Sequence, residues 1–337
     1  MTLTHGAGTG QATIRPPQTR PTLSIVICTF QRPDLLGTCL DTCLAQTGLE
    51  PGTLEIVVVD NCPGESARPL VEARRPASGD PILRYVTEPR TNLSHARNTG
   101  VAAASGHLLA FVDDDNIVPK GWARTVIDLM AARRADVMFG DVDPVFPDDA
   151  DPDIVALLRP YFCRRIGADA GERVHPKADG NIHDARTCNV TLRKDLCFPA
   201  DAPFWFDPVF GLAGGEDFDY FLRLVRRVKG LRVFTSAEAL MEEYIPASRI
   251  SPAFVISRSY RGSQAYALAK VRNSGNKALT RAVIAAKALL QVGYWEMSRL
   301  RHGLRGGDLP FAGEVKHSHA MGKLYGHHLV HKTSPYR

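Results

Sequence analysis

The chain reads LLAFVDDDN from Leu108 to Asn116, so that five apolar residues are followed at once by three aspartates. The apolar run is typical of a buried strand, and Pro119 is typical of the start of a helix. Adjacent carboxylates repel one another, and a Mg²⁺ or Mn²⁺ ion with oxygen ligands removes that cost. Aspartates on a solvated loop can also cap the next helix. The segment therefore predicts a strand that ends in a metal site or in a capping loop.

Upstream of this strand, apolar runs alternate with amphipathic stretches. The pattern predicts three more strands that alternate with three helices, in the order Leu23–Thr29, Pro33–Ala45, Leu54–Val59, Ser66–Arg75, Ile82–Val86 and Ser94–Ala104. This is typical of the α/β class, with a Rossmann-like, largely parallel sheet flanked by helices. Ligands bind such sheets outside the carboxyl ends of the strands, where polar residues follow each strand here. These are Thr29 with Arg32, Asp60 with Asn61, Glu88 with Arg90, and Asp113 to Asn116.

Downstream of Asn116 the pattern is less regular. It predicts a strand over Val137–Val142, an acidic loop over Asp148–Asp153, a mobile loop near the site over Arg164–Ala185 and a returning strand over Cys188–Arg193. Helical periodicity covers Glu216–Val228, Ile250–Arg272 and Lys277–Arg301, and more weakly Gly313–Leu329. Within Glu216–Val228, the sequence GGEDFD (214–219) puts three acids in the first turn. They suit the helix macrodipole, or one of them serves as the base that deprotonates an attacking hydroxyl.

The charge is distributed unevenly along the 337 residues, 44% of which are hydrophobic and 23% charged. From Arg223 onward there are 20 Lys and Arg against 6 Asp and Glu, whereas the first 222 residues hold 21 and 30. The acidic part suits a metal-dependent site, and the basic part suits phosphates, an anionic membrane or simple solubility. Seven cysteines without paired spacing indicate reduced core thiols. Since no secretion signal is seen at the N-terminus, we expect a cytoplasmic protein.

Six motifs in this order and spacing resemble the inverting GT-A glycosyltransferases of glycosyltransferase family 2, and among them the bacterial exopolysaccharide enzymes of the succinoglycan type. They are SIVICTFQRP (24–33), VVVDNCPGES (57–66), NLSHARN (92–98), FVDDD (111–115), GGEDFD (214–219) and EYIPASR (243–249). The resemblance covers about Leu23 to Gly262. It implies a catalytic domain (22–248) with nucleotide-binding (22–116) and acceptor-binding (117–248) parts. The Gly-, Thr- and Pro-rich composition of residues 1–21 predicts a disordered N-terminal segment, and charge and periodicity predict a basic helical extension (249–337).

The resemblance also implies roles for single residues. On the donor side these are contacts to the nucleobase from Thr29, Arg32 and Asp60, to the nucleotide from Arg97, and to the ribose from Asp113. Asp115 would bind Mn²⁺ or Mg²⁺, with Asp114 between the two ends of the DxD motif, and Arg258 and Arg261 would face the pyrophosphate. Asp217 would be the catalytic base, and Glu216 would orient the acceptor or the loop. Asn116 is a departure, because an acid is common there in similar chains.

The implied reaction moves a sugar from a nucleotide donor, mostly a UDP-sugar, to a hydroxyl of a glycan or lipid-linked glycan during surface or exopolysaccharide synthesis. A sugar-1-phosphate nucleotidyltransferase is disfavoured, because Cys28 to Arg32 lacks the glycine-rich loop that such enzymes need after the first strand. A haloacid-dehalogenase-type phosphatase needs threonine where Ile117 stands. A non-catalytic carbohydrate-binding subunit would not need both Asp115 and Asp217. Nucleic-acid binding is disfavoured because aromatic residues do not interleave with the basic ones.

The segment Ala282–Trp295 is apolar but too short to cross a bilayer, and Lys287 interrupts it. Its basic flanks fit an interfacial helix on an anionic leaflet. A helix that packs on the catalytic domain is the alternative, and both remain open from the sequence. A lipid-linked acceptor would explain peripheral contact through residues 249–305 at the cytoplasmic face of the inner membrane.

Overall fold

The structure is a computed structural model that describes residues 21–165, 173–177, 181–182, 185–202, 204–211 and 214–326. The predicted N-terminal segment, parts of the Arg164–Ala185 loop and the last residues of the C-terminal extension lie outside these ranges. The strands are β1 (Leu23–Thr29), β2 (Leu54–Asp60), β3 (Ile82–Thr87), β4 (Leu108–Asp113), β5 (Asn116–Ile117), β6 (Val137–Val145), β7 (Arg173–Val174), β8 (Val190–Arg193) and β9 (Val233–Tyr244).

Ten helices lie between and after these strands in the described ranges. They are α1 (Pro33–Leu44), α2 (Arg68–Ala73), α3 (Leu93–Ala103), α4 (Trp122–Ala132), α5 (Pro152–Phe162), α6 (Lys194–Cys197), α7 (Glu216–Arg227), α8 (Pro252–Arg272), α9 (Lys277–Gly303) and α10 (Phe311–Leu324). A 3₁₀ turn over Ala247–Arg249 precedes α8.

The predicted parallel sheet is confirmed. Its strands follow the order β3-β2-β1-β4-β8-β6-β9-β5, with β7 beside β9. The pairs β3–β2, β2–β1 and β1–β4 are parallel, so the ends of these four strands share one edge. The returning strand β8 is antiparallel to both β4 and β6. Apolar clusters cover the two faces of the sheet, as the α/β class requires.

The short elements β5, β7 and α6 were not predicted, and three longer elements also differ from the sequence prediction. The helix expected at Pro119 begins at Trp122, because the Pro119 carbonyl first closes a turn and Gly121 (φ 82°) precedes the helix. The predicted acidic loop runs into α5, which the Asp151 side chain caps by accepting from two backbone N–H groups. The long strand β9 was not predicted, since its alanines and glutamates favour helices; its pairing with β6 decides its conformation.

The C-terminal helices pack on one another, and α8 also contacts α5 and α7. Helix α8 buries residues along its length and packs against α10. Helix α9 lies on α8 and α10 but has a single buried residue, Ala288. Among the described residues, no helix combines the length and the apolar character that spanning a bilayer requires.

Candidate active site

The aspartate turn, which we define as Asp113–Asn116 at the end of β4, is held by residues at and just after the end of β1. The Thr29 hydroxyl donates to Asp114 Oδ2 at 2.8 Å, and an Arg32 amino group lies 2.8 Å from Asp114 Oδ1. Arg32 also reaches Asp115 Oδ2 at 3.3 Å. Asn116 supports the turn from below, because its Oδ1 accepts the Asp113 N–H at 2.9 Å. The predicted residues at the ends of β1 and β4 therefore form one contact network.

A second arginine completes the surroundings of Asp115. The Arg249 guanidinium lies 3.1 Å from Asp115 Oδ2 and 3.6 Å from Glu243 Oε1. Burial, followed by repulsion from Asp113, raises the pKa of Asp115, although Arg249 and Arg32 oppose the shift. Burial and then Asp115 raise the pKa of Glu243 in the same way. The turn thus holds buried carboxylates whose charged form is disfavoured first by burial and then by one another.

Burial also raises the pKa of Asp114 to about 7, with Arg32 acting against it. Asp113 differs from its two neighbours, because 43% of its side chain is exposed. Its carboxylate is therefore open to a ligand that approaches the edge of the sheet, while Asp114 and Asp115 lie behind it at 1% and 5% side-chain exposure.

Asp60 lies at the same edge but is fully buried. Its carboxylate accepts the backbone N–H groups of Cys62 and Ala67, at 3.0 and 2.7 Å, and the Tyr85 hydroxyl at 2.9 Å. These bonds hold the turn between β2 and α2. Its predicted contact with a nucleobase stays a prediction, as does that of Thr29 and Arg32.

Arg97 connects two acidic clusters, namely the aspartate turn and the start of α7 with Glu216 and Asp217. Its side chain is buried, forms an ion pair with Glu216 at the start of α7 and lies 3.9 Å from Asp113. Burial alone would lower the pKa of Arg97, but Glu216, Asp113 and Asp217 outweigh it and raise the pKa. The second oxygen of Glu216 is buried and has no hydrogen-bond partner in the described part of the chain. Acids that are about 100 residues apart in the sequence therefore share one cation.

The NLSHARN motif opens a helix, and the free backbone N–H groups at a helix start favour anions. In the structure, however, the Asn92 side chain accepts the N–H groups of Ser94 and His95. Asn92, Ser94 and Asn98 also donate to carbonyls of the segment 206–208 at 2.9 Å each. A side chain at Gly211 would collide with Asn92. The motif therefore anchors the loop that leads to the second acidic cluster.

Asp217 lines a cavity of about 690 Å³ between α7, α8 and α10. Gly215 precedes it with φ 94°, in a place where a Cβ atom would lie 2.4 Å from Ala265 Cβ. This glycine lets α7 start close against α8. The cavity is lined by cationic and aromatic side chains as well, among them Tyr161, Arg186, Phe218, Arg258, Tyr266 and Lys323. A carboxylate at a helix start thus faces a pocket large enough for a sugar ring.

Of the two arginines predicted to face a pyrophosphate, Arg258 lines this cavity and Arg261 is not among the lining residues. Burial, then the nearby Arg186, lower the pKa of Arg258, while Glu243 opposes the shift. The Arg258 guanidinium also stacks over the Phe162 ring at 5.5 Å. The geometry separates two residues that the sequence could only treat as a pair.

The chemistry of the aspartate turn fits a divalent cation. In the ranges that the structure describes, no three His, Cys, Asp or Glu side chains are arranged as a ready-made metal site. A Mg²⁺-type ion that binds with a nucleotide usually takes one or two carboxylates, because phosphate oxygens and water complete its shell. Asp113 and Asp115 can supply that number. Burial and then the charge of Asp113 raise the pKa of Asp115, and a bound cation would lower it.

Arg249 and Glu243 belong to the motif EYIPASR, from which the sequence predicts no role for either residue. Their part became visible only when β9 placed the end of that motif beside the aspartate turn, where the Tyr244 N–H donates to the Asp115 carbonyl at 2.8 Å. The signal available in the sequence was the motif itself. Without β9, no pattern indicated which strand end it would meet.

Comparison with known proteins gives a consistent result. The family model described as Glycosyl transferase family 2 matches residues 24–196. The succinoglycan biosynthesis protein ExoM of Rhizobium meliloti is 32% identical over 244 residues, which are 72% of this chain and 74% of that protein. ExoO of the same organism is 30% identical over 129 residues, 38% of this chain and 35% of that protein.

Among solved structures, residues 1–349 of S. aureus TarS in complex with UDP-GlcNAc superpose with a TM-score of 0.55. The sequences are 14% identical, and the match covers 90% of this chain and 91% of that one. At this identity the likeness concerns the fold, including its helical C-terminal region.

Proposed function

Because the chain belongs to glycosyltransferase family 2 and has its GT-A fold, we propose that it transfers a sugar from a nucleotide-sugar donor to a hydroxyl group in exopolysaccharide or surface-glycan synthesis. Members of this family are generally inverting and generally use a divalent metal ion. The observation that carries the proposal is the side chain of Arg97, which contacts both the aspartate turn and the acidic start of α7. It supports one site with a donor side and an acceptor side.

On the donor side, we propose that Thr29, Arg32 and Asp60 surround the base, which is uracil in the proposed donor, and that Asp113 contacts the ribose. Asp113 has the exposure that such a contact needs. Asp115, together with Asp113, would hold Mn²⁺ or Mg²⁺, which when bound supplies positive charge for the diphosphate leaving group. Arg258 lies on the cavity wall, where it can face the same phosphates. Arg261 has no cavity contact in support of that role.

On the acceptor side, Asp217 is the proposed base. As the acceptor oxygen forms its bond to the anomeric carbon, its proton passes to the Asp217 carboxylate and the nucleoside diphosphate leaves from the opposite face. Glu216 does not need to move a proton, because Arg97 holds it as a buried ion pair. Its role is to fix the first turn of α7 so that Asp217 faces the cavity. A positioned base of this kind contributes about 10²- to 10⁴-fold in rate.

The acceptor is proposed to be a glycan or a lipid-linked glycan. We further propose that the protein works at the cytoplasmic face of the inner membrane and touches it peripherally through residues 249–305. The cationic lining of the cavity supports an acceptor that carries negative charge, since Arg186, Arg258 and Lys323 face it. TarS is described in complex with UDP-GlcNAc, which supports the choice of a UDP-linked donor.

The direct experiment is a screen of UDP-, GDP- and dTDP-sugars with the purified chain, with Mn²⁺ and with a chelator, by thermal shift and by donor hydrolysis. We expect stabilisation and slow hydrolysis with a UDP-sugar only when Mn²⁺ is present. Binding of no nucleotide sugar under any condition would contradict the proposal and favour a non-catalytic subunit.

A further inference from the structure

Helix α9 has an unusual distribution of apolar residues. It spans 27 residues, about 40 Å at 1.5 Å per residue, yet Ala288 is its one buried side chain. Large hydrophobic residues are exposed along it instead, with Leu290 at 76% and Leu304, just beyond its end, at 80%. The full set is Leu279, Val283, Leu289, Leu290, Tyr294, Met297, Leu300 and Leu304. Exposed apolar surface of this extent marks an interaction site.

The exposed residues form one continuous face. Leu279, Val283, Leu290, Met297 and Leu304 follow one another at intervals of four, seven, seven and seven, which places them in a single row on a helix. Ala288 and Trp295 lie on the opposite side, where Lys316 of α10 approaches the Trp295 ring at 5.7 Å. The helix therefore packs with its other side and turns this row outward. Nothing among the described residues buries the row.

The charged residues beside the apolar row indicate which kind of surface the row binds. Residues 277–305 contain six Lys and Arg against one acid, Glu296. Lys287, Arg301 and Arg305 are exposed along one border of the apolar row. A second copy of the same face would bring like charges together, which opposes pairing. Apolar residues bordered by cations match an anionic lipid surface, whose headgroups bind the cations while the acyl chains receive the leucines.

We propose that the outer face of α9, from Leu279 to Leu304, is an interfacial membrane helix that binds anionic phospholipid. It lies in the plane of the headgroups and does not cross the bilayer. The proposal assigns the membrane contact of the proposed function to one surface, the outer face of α9. It rests on that function, because the contact would give the site access to a lipid-linked acceptor.

The position of α9 relative to the cavity supports this purpose. Helix α10 connects the two, because the Lys323 amino group lies 3.4 Å from Gln291 Oε1 on α9 and also lines the cavity that holds Asp217. An ion pair joins Arg299 of α9 to Glu314 of α10 at 2.9 Å, and His317 Nε2 of α10 lies 2.8 Å from Glu296 Oε1. An acceptor anchored in the bilayer beside α9 would therefore be one helix away from the proposed base.

The test is co-sedimentation of the full chain with phosphatidylcholine vesicles and with vesicles of phosphatidylcholine and phosphatidylglycerol at equal weight. We expect binding to the anionic vesicles only, weakened by high salt. Leu290→Glu should lower the affinity at least about tenfold, because it removes buried apolar area and adds a repelled charge. Lys287→Gln and Arg305→Gln should each lower it about fivefold.

The matched control is Leu157→Glu, which changes an exposed leucine (41%) on α5. It should bind anionic vesicles like the wild type. Absence of binding by the wild type, or an equal loss in Leu157→Glu, would overturn the proposal. A wild-type dimer in light scattering that Leu290→Glu converts to a monomer would assign the face to a second copy instead. Sugar transfer to a water-soluble acceptor separates the proposed transferase function from the proposed membrane binding. We expect Leu290→Glu to keep this transfer activity after it has lost vesicle binding.

Discussion

The aspartate turn after β4 and the outer face of α9 depart from the usual distribution of residues in opposite directions. The turn buries Asp114 and Asp115, at 1% and 5% side-chain exposure, and Arg97 of α3 is buried beside it at 6%. The helix exposes leucines, up to 80% at Leu304. Buried charge and exposed apolar surface both cost stability unless a ligand or partner is met. In our proposals, the first region binds the nucleotide-sugar donor and the second binds an anionic lipid surface.

The largest effect is expected at Asp217. Asp217→Asn should lower the transfer rate by about 10²- to 10⁴-fold, because the base is lost while the cavity keeps its shape. The measurement is product formation at saturating donor. Asp128→Asn, an equal change at an exposed position of α4, is the control and should leave the rate unchanged. A rate for Asp217→Asn within threefold of wild type would mean that another group accepts the proton.

The buried ion pair of Arg97 and Glu216 should contribute strongly to the free energy of unfolding. Arg97→Met should lower the free energy of unfolding by about 3–5 kcal/mol, because Glu216 is left as a buried charge without its partner. Arg97→Met combined with Glu216→Leu should recover part of this loss. Urea unfolding measures both. If the single variant were as stable as wild type, the ion pair would not hold the two clusters together.

The stability of the same sheet edge should depend on pH through the carboxylate of Glu88. Hydrogen bonds from Arg90, then Thr99, lower the pKa of Glu88 to about 2, although burial opposes the shift. The unfolded chain protonates this group near pH 4.5, so its contribution is complete above that value and is lost as the pH falls toward 2. Glu88→Gln should therefore cost about 2 kcal/mol at pH 7 and unfold with a flatter acid profile. Parallel acid profiles for the two proteins would contradict this.

The smallest effect is expected on the outer face of α9. Leu290→Glu should change the free energy of unfolding by less than about 0.5 kcal/mol, because the side chain packs on nothing in the described chain. Ala288→Glu, on the inner side of the same helix, should cost more than about 2 kcal/mol since that residue is buried. Thermal unfolding of the two variants compares the faces directly. Equal losses would show that the outer face is packed in the folded protein.

The sequence predicted the sheet edge better than the helix surface. Thr29, Arg32, Asp113 and Asp115 follow strands whose parallel order is implied by the alternation itself, so their proximity could be expected. Arg249 could not be placed, because β9 owes its strand conformation to pairing with β6 and not to local preference. A helix start offers free N–H groups in general, but the short polar side chain of Asn92 caps its own helix here.

For α9 the sequence left two possibilities, a packed helix or an interfacial one. Periodicity shows that apolar residues share a face but not whether neighbouring helices cover it. Two leucines in sequence, Leu289 and Leu290, also blur the pattern. Only the packing of α9 on α10 decides which side faces inward. The helix packs on α8 and α10 with one side, and the proposal of an interfacial helix rests on the apolar row that its other side exposes.

The account depends on one site with a donor side at Asp115 and an acceptor side at Asp217. Calorimetric titration of a UDP-sugar in the presence of Mn²⁺, with wild type, Asp115→Ala and Asp217→Asn, tests it directly. We predict that Asp217→Asn binds the donor like wild type, whereas Asp115→Ala loses measurable binding and its dependence on Mn²⁺. Donor affinity that is unchanged in Asp115→Ala would contradict the account.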